Sequence, residues 1–459
     1  MNDFFIQKLV IKDVREIKNF AIPLDDGERK HLIITGKNGC GKTSTLVEID
    51  NLLNKLINNQ FAQMTQIKKN IEQYENVIEQ THKNIESYQK QIEIQIEQKN
   101  NLFQNQEVNG QQIEQVENNI KSYSSNILNE KTNIQNYENQ IVQWQKDVDD
   151  FSKVELIFSN QSAIYEDIVN GKFILAFFEA KRHNEPTMPQ TPTKQIFQPK
   201  YQTKDKLNKT FLQYLLNLKT EQAFAQIRHD TGTVIGINIW FDNFEARLKE
   251  LFEQEELKLF FDDKEFNFKI EYDSKSFGLN ELSDGYSSLL AILTELILRM
   301  EAQQAQAYDM QGVVLIDEIE THLHVELQKK VLPFLVSFFP KIQFIVTTHS
   351  PFVLSSLSNA VICDLERREI VSSERFINAS YSQIVKNYFQ VDSEFSRVLV
   401  NEIKQYENMV LLFENGRLDE KSQKELLDLD LKLDKLSSML SDEIYLRFKE
   451  AQGKIQNND

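Results

Sequence analysis

Three stretches of this chain hold the residues able to do chemistry. Gly36-Lys37-Asn38-Gly39-Cys40-Gly41-Lys42-Thr43-Ser44 fits G-x-x-x-x-G-K-[ST]. In that pattern glycines let backbone N–H groups wrap phosphates, the lysine reaches the β- and γ-phosphates, and the hydroxyl after it ligates Mg²⁺. Lys42 and Thr43 take those places. "VVLIDEIE" (313–320) is an apolar run that ends in acids. Asp317 at its end suits a Mg²⁺ shell, and Glu318 beside it suits a general base acting on an attacking water. A strand that merely ends in solvated acids explains this composition but not its company. "FIVTTHSP" (344–351) is another apolar run, and it places His349 where it could face a γ-phosphate.

A fourth stretch, Leu282-Ser283-Asp284-Gly285-Tyr286, puts a small polar turn at the start of an apolar helix. Unpaired backbone N–H groups collect at such a helix start and attract anions.

The elements that must position these residues can be read from patterning. Residues 4–24 alternate as two strands, and "HLIIT" (31–35) is a buried strand leading directly into the glycines. A helix is expected to begin near Lys42 and to run on without a stop. Ile71, Ile78, Ile85 and Ile92 then repeat every seven residues, with Tyr74 and Tyr88 between them. A second arm carries Ile113, Ile120, Ile127, Ile134, Ile141 and Val148, with Val116, Tyr123, Tyr137 and Trp144 between them. "NQEVNG" (105–110) separates the arms as a polar turn. The pattern predicts an antiparallel coiled-coil hairpin whose arms reach roughly 65–70 Å.

Strands are expected at 154–158, 172–178, 257–261 and 266–272, and helices near 206–228 and 236–253. An irregular loop over 182–200 holds four of the eight prolines. The residues beyond His349 read as largely helical. Asp428-x-Asp430 lies within a helical leucine pattern and reads as a solvated face rather than a metal site.

A length of 459 residues implies more than one structural unit. The net charge of −17 argues against whole-surface affinity for nucleic acid. No apolar run is long enough to cross a membrane, and the start lacks the features of a signal peptide, so no membrane contact and a cytoplasmic location are expected. Cys40 and Cys363 provide neither a disulfide framework nor a metal quartet, and Cys40 reads as a loop residue.

"LSDGY" resembles the signature motif of ABC-type ATPases, as found in the SMC, RecF and OLD-like branches. The order of P-loop, coiled-coil insertion, signature, Asp-Glu strand and His resembles the same family. The resemblance implies an α/β fold: an ABC-ATPase head with a mixed sheet, a coiled-coil hairpin insertion and a helical C-terminal tail. It divides the chain into head residues 1–56, the hairpin 57–150, the remaining head 151–375 and a helical region 376–459. It also implies ATP hydrolysis with Mg²⁺ held by Thr43 and Asp317, and Glu318 and His349 as catalytic groups. Two heads would meet head to tail, in a homodimer or a higher homo-oligomer, with Leu282–Tyr286 of one on the nucleotide held by Gly36–Ser44 of the other. Glu320, Thr321 and His322 would lie at the seam. Gln161 and the segment Ala180-Lys181-Arg182 are the alternatives for the glutamine-loop position. Arg182 is either a phosphate or interface contact or a surface arginine.

Within the family, the apex lacks the C-x-x-C zinc hook of the long-coiled repair ATPases. The arms are too short for condensin or cohesin, and no nuclease domain follows the head. What remains resembles the stand-alone ATPases of bacterial anti-phage defence, such as the Septu, retron-associated and PARIS types. Such proteins pair with a separately encoded effector, often a nuclease. The alternative is a RecF/SMC-like DNA-maintenance ATPase, which Lys194, Lys200, Lys204, Lys206 and Lys209 would serve as DNA contacts.

Overall fold

The computed structural model describes residues 3–24, 27–104, 110–182, 186–303, 310–388, 397–436, 440 and 442–456. The chain divides into two units, Met1–Ile377 and Asn378–Asp459.

The first unit opens with strands β1 (Ile6–Val14), β2 (Ile17–Pro23) and β3 (His31–Thr35), then helix α1 (Lys42–Ile57). Two long helices follow, α2 (Gln60–Gln104) and α3 (Gly110–Phe151). The chain returns through β4 (Val154–Phe158), α4 (Gln161–Val169) and β5 (Ile174–Phe178). Helices α5 (Phe211–Ile227) and α6 (Thr231–Phe252) lead to a small sheet of β6 (Lys258–Asp262), β7 (Asn267–Tyr272) and β8 (Lys275–Gly278). Next come α7 (Asp284–Glu301), β9 (Gly312–Ile316), α8 (Val325–Phe338), β10 (Ile342–Thr347) and α9 (Pro351–Leu354). The unit closes with β11 (Ala360–Asp364), β12 (Glu369–Ser372) and α10 (Glu374–Ile377).

Six strands form the central sheet in the order β12-β11-β3-β10-β9-β5. All neighbours are parallel except the β11–β12 pair at one edge. Strands β3, β9, β10 and β11 are buried along their whole length. That burial explains their unbroken apolar runs, because a parallel sheet is covered on both faces. A second sheet, β2-β1-β4, is antiparallel. Leu46, Ile49 and Leu53 of α1 share one core cluster with Ile6, Leu9 and Ile11 of β1 and with Leu32, Ile34 and Leu315 of the parallel sheet. Burial on both sides fixes the helix that follows the glycine loop.

The heptads pair as expected. Tyr74 meets Tyr137 and Trp144 with ring centroids 5.0 and 4.9 Å apart, and Tyr88 stacks on Tyr123 at 6.1 Å. Asn119 donates to Gln95 at 3.2 Å, and Lys99 pairs with Glu117 at 2.7 Å. Rising numbers on one arm match falling numbers on the other, so the arms are antiparallel. The expected turn at 105–110 lies outside the described residues apart from Gly110.

Two expectations are corrected, and one strand is added. The helix from Lys42 does stop: α1 ends at Ile57, Asn59 adopts φ +56°, and α2 restarts at Gln60. Asparagine tolerates the left-handed conformation, and the Asn58 side chain is held by Gln202 at 3.1 and 3.4 Å. The residues beyond His349 are not simply helical, since β11 lies inside the main sheet beside β3. Its five residues and the four of β12 are too short for a pattern of period two to stand out. The strand β8, which pairs with β7, was also not anticipated.

The second unit consists, among its described residues, of the short helix α11 (Tyr381–Gln383), a π-helical turn at Ile384–Tyr388, and helices α12 (Arg397–Glu414), α13 (Glu420–Lys435) and α14 (Asp442–Gln456). Tyr406, Leu426, Leu433 and Phe448 form its core. Asp430 accepts hydrogen bonds from Tyr406 at 2.5 Å and Gln452 at 3.1 Å, while Asp428 is exposed. Asp430 thus faces the bundle rather than solvent, and it has a structural hydrogen-bonding role.

Candidate functional site

The loop between β3 and α1 is shaped by its glycines. Gly36 has φ +131°, and a Cβ there would lie 2.8 Å from Cys40 Sγ. Any other residue would be strained at this φ and would push the Cys40 side chain aside. Lys42 is buried, and its Nζ donates to the carbonyls of Gly36 at 2.9 Å and Lys37 at 3.1 Å. The ammonium therefore sits inside the loop, where a phosphate oxygen could replace a carbonyl partner. Burial pulls the Lys42 pKa below its ordinary value, while the carboxylates of Glu318, Asp317 and Glu320 oppose the shift.

Strand order brings the other residues to this loop. β10 lies between β3 and β9, and all three run parallel, so their C-terminal ends open on one edge. This is the edge at which open α/β sheets bind ligands. Thr43 Oγ1 donates to Asp317 Oδ1 at 3.2 Å, and Thr347 Oγ1 donates to the same oxygen at 2.6 Å. The Glu318 N–H donates to Thr347 Oγ1 at 2.7 Å. Glu318 has φ +45° and accepts from Thr321 Oγ1 at 3.2 Å. The His349 N–H donates to Glu320 Oε1 at 2.6 Å. Burial first, and then the Lys42 ammonium, lower the His349 pKa, so its imidazole is neutral at neutral pH.

The Thr43 hydroxyl and Asp317 carboxylate are hard oxygen donors within hydrogen-bond reach, a set that fits Mg²⁺. Among the described residues no group of three His, Cys, Asp or Glu side chains could hold a metal by itself. Two protein oxygens completed by water and phosphate match the way Mg²⁺ is usually bound.

The turn Leu282–Tyr286 is built differently. Ser283 is exposed at the N-terminus of α7, and its hydroxyl makes no capping hydrogen bond. Gly285 is buried, and a Cβ there would lie 3.0 Å from the His322 carbonyl oxygen. Tyr286 stacks on Phe252 at 4.2 Å. No hydrogen bond among the described residues joins Leu282–Tyr286 to Gly36–Ser44. The P-loop, Asp317, Glu318 and His349 therefore assemble within one chain, and the serine turn does not join them there.

One contributor, Thr347, was not anticipated, and for a second, Arg182, the sequence left a site contact and a surface position as alternatives. Thr347 bridges Asp317 and Glu318, yet the sequence offers it only as one of two threonines ending a strand. Arg182 is not a surface arginine: it is 7% exposed and donates to backbone carbonyls of the Asp317 turn. Its signal was available, since it follows the apolar run "KFILAFF" much as Asp317 and His349 follow theirs. The segment after β5 abuts the site, with the Asp317 N–H donating to the Phe178 carbonyl at 2.8 Å. Gln161 instead bonds Tyr165 within its own helix.

Comparison with known proteins places these residues in context. The family described as "AAA domain, putative AbiEii toxin, Type IV TA system" matches residues 213–355. The Septu protein PtuA of Bacillus mycoides (strain KBAB4) is 30% identical over 206 residues, covering 42% of this chain and 28% of that protein. The Retron Ec83 probable ATPase of Escherichia coli is 29% identical over 150 residues, covering 31% of this chain and 27% of that protein. The Retron Vc95 probable ATPase of Vibrio cholerae serotype O1 biovar El Tor is 30% identical over 155 residues, covering 32% and 30%. The chain thus matches under a third of the length of each relative. Among solved structures, an Smc head bound to the C-terminal winged-helix domain of ScpA aligns over 81% of this chain and 99% of that chain, with 13% identity and a TM-score of 0.35.

Proposed function

We propose that this chain, an ABC-type P-loop ATPase with a coiled-coil insertion and similar to Septu and retron ATPases, hydrolyses ATP as the sensor subunit of an anti-phage defence complex. The observation that carries the catalytic reading is the meeting of Thr43, Asp317, Glu318, Thr347 and His349 at the ends of three adjacent parallel strands.

In this reading Gly36–Ser44 cradle the triphosphate, and Lys42 exchanges a loop carbonyl for a β- or γ-phosphate oxygen. Thr43 and Asp317 would hold Mg²⁺, which when bound would supply charge neutralisation at those oxygens. Glu318 orients the attacking water and accepts its proton, while neutral His349 donates a hydrogen bond toward the γ-phosphate. The free hydroxyl of Ser283 and the N-terminus of α7 serve a second copy's nucleotide, giving two composite sites in a head-to-tail dimer. Residues 1–56 and 151–375 make the head, 57–150 the hairpin and 376–459 a helical region. Nucleotide state then restrains or releases a separately encoded effector, such as a nuclease.

A DNA-clamping role has less support. Lys200 donates to the Ile57 carbonyl, and Lys204 pairs with Asp50 and Glu179 at 3.4 and 3.1 Å, so neither is a free DNA contact. Among the described residues no helix is long and apolar enough to cross a membrane.

The test is co-expression with the products of adjacent genes, followed by mass determination of what co-elutes and assay of phosphate release. A fixed-stoichiometry complex with a nuclease-like or toxin-like protein supports the defence reading. A chain that elutes alone and binds DNA more tightly with ATP would replace it with the clamp.

A further inference from the structure

The turn that follows β9 has its backbone fixed on both sides. The Asp317 N–H donates to the Phe178 carbonyl at 2.8 Å and the Ile319 N–H to the Thr347 carbonyl at 3.1 Å. The Glu318 N–H donates to Thr347 Oγ1 at 2.7 Å. The carbonyls of the same three residues converge on one side chain. Arg182 Nη1 donates to the Asp317 oxygen at 2.9 Å, and Nη2 donates to the Glu318 and Ile319 oxygens at 3.2 and 2.8 Å. Nη1 also reaches the Glu179 carbonyl at 3.1 Å, which ties the guanidinium to the segment leaving β5.

Three consecutive carbonyls directed at one point repel one another unless a cation stands there. The turn also holds Glu318 at φ +45°, a region that non-glycine residues rarely occupy. Such a conformation persists only where its surroundings over-determine it. Burial pulls the Arg182 pKa to about 10, while Glu320, Asp317 and Glu318 oppose the fall, so the group stays charged at neutral pH. Retaining a charge in so buried a place is costly unless its hydrogen bonds are met. Arg182 meets them at Nη1 and Nη2, though not at the buried Nε, on main-chain oxygens rather than in an ion pair, so the guanidinium does not occupy the carboxylates of Asp317 and Glu318.

We infer that Arg182 is a positioning residue for the hydrolytic step: by gathering the carbonyls of Asp317, Glu318 and Ile319 it sets where the Glu318 carboxylate stands. The inference rests on the proposed ATP hydrolysis. A lysine cannot reproduce it, because its compact ammonium lacks the planar fork that spans four acceptors.

The test places Arg182→Lys and Arg182→Gln in the wild-type chain and in a Glu318→Gln chain, and measures ATP affinity, kcat, KM and thermal midpoint. In the wild-type background kcat should fall by about 10- to 100-fold, the usual loss when an orienting partner is removed. ATP affinity and KM should stay within about three-fold, since the split isolates the chemical step. In the Glu318→Gln background the same changes should cost less than about three-fold, because Arg182 acts through the group already removed. A folded Arg182→Lys protein with wild-type kcat overturns the inference, as do equal losses in both backgrounds. An Arg182→Lys chain that fails to fold assigns the residue to stability alone and also overturns it. A wild-type protein that binds ATP but releases no phosphate overturns the hydrolytic reading and this inference together, and that control is read first.

Discussion

Thr43 and Asp317 lie 274 residues apart in sequence, yet the threonine hydroxyl donates to the aspartate carboxylate at 3.2 Å. The contact joins the helix after the glycine loop to the end of β9 across the intervening strand β10. A bound divalent cation would replace that hydrogen bond with two oxygen ligands. Removing Mg²⁺ with a chelator should therefore reduce ATP hydrolysis to background, with activity restored by Mg²⁺. Full turnover in excess chelator would refute a metal site at this pair.

Lys42→Ala removes the ammonium that fills the loop. ATP affinity should fall by at least about 100-fold, since a charge-assisted contact is worth several kcal/mol when its partner stays in place. Equilibrium binding of a fluorescent ATP analogue reads this directly. Binding within a few-fold of wild type would place the nucleotide elsewhere.

Glu318→Gln keeps the side-chain shape and the hydrogen bond from Thr321 but loses the base. Hydrolysis should drop by about 10²- to 10⁴-fold, the range for general-base catalysis, while ATP still binds. Size-exclusion chromatography with ATP should then show accumulated closed dimers. A normal rate would show that another group activates the water.

Ser283→Arg puts a bulky cation at the exposed start of α7, away from the P-loop of its own chain. ATP binding to the monomer should be unchanged, and ATP-dependent dimerisation should disappear. An unaltered dimer would remove the serine turn from the interface.

His31 gives a pH signature of the core. It is 3% exposed on β3, and its Nδ1 accepts from the Phe344 N–H at 3.1 Å. Burial, reinforced by the Arg29 charge, drops its pKa to about 3 from an ordinary 6.5. Above pH 6.5 the imidazole is neutral in both states and contributes no pH dependence. Below it the unfolded chain binds a proton that the folded chain refuses, so stability falls as pH drops from 6.5 toward 3. The slope approaches about 1.4 kcal/mol per pH unit for one such group. His31→Gln keeps an acceptor and should flatten the dependence of the urea midpoint between pH 7 and pH 5. Parallel curves for both proteins would show that His31 does not cause it.

Patterning alone determined much of this molecule. The glycine spacing before Lys42-Thr43, the acids ending 313–320 and the heptads of both arms are local regularities. Each follows from one element's own geometry: a tight glycine turn, the end of a buried strand or a seam to be covered. Even the chain reversal of the hairpin was legible, because two apolar stripes separated by a polar turn have only each other to cover. Tertiary structure decided what depends on strand order. That β10 lies beside β3 follows from pairings between residues more than 300 positions apart, and its pairing with β9, 30 positions away in sequence, puts Thr347 between Asp317 and Glu318. The same holds for β11, whose five residues have no distinctive period but complete the sheet beside β3. The place of Arg182 after an apolar run marks it as a candidate, but not for the role it plays. A buried guanidinium is defined by the carbonyls that converge on it, and those carbonyls meet only when β5 and β9 pair.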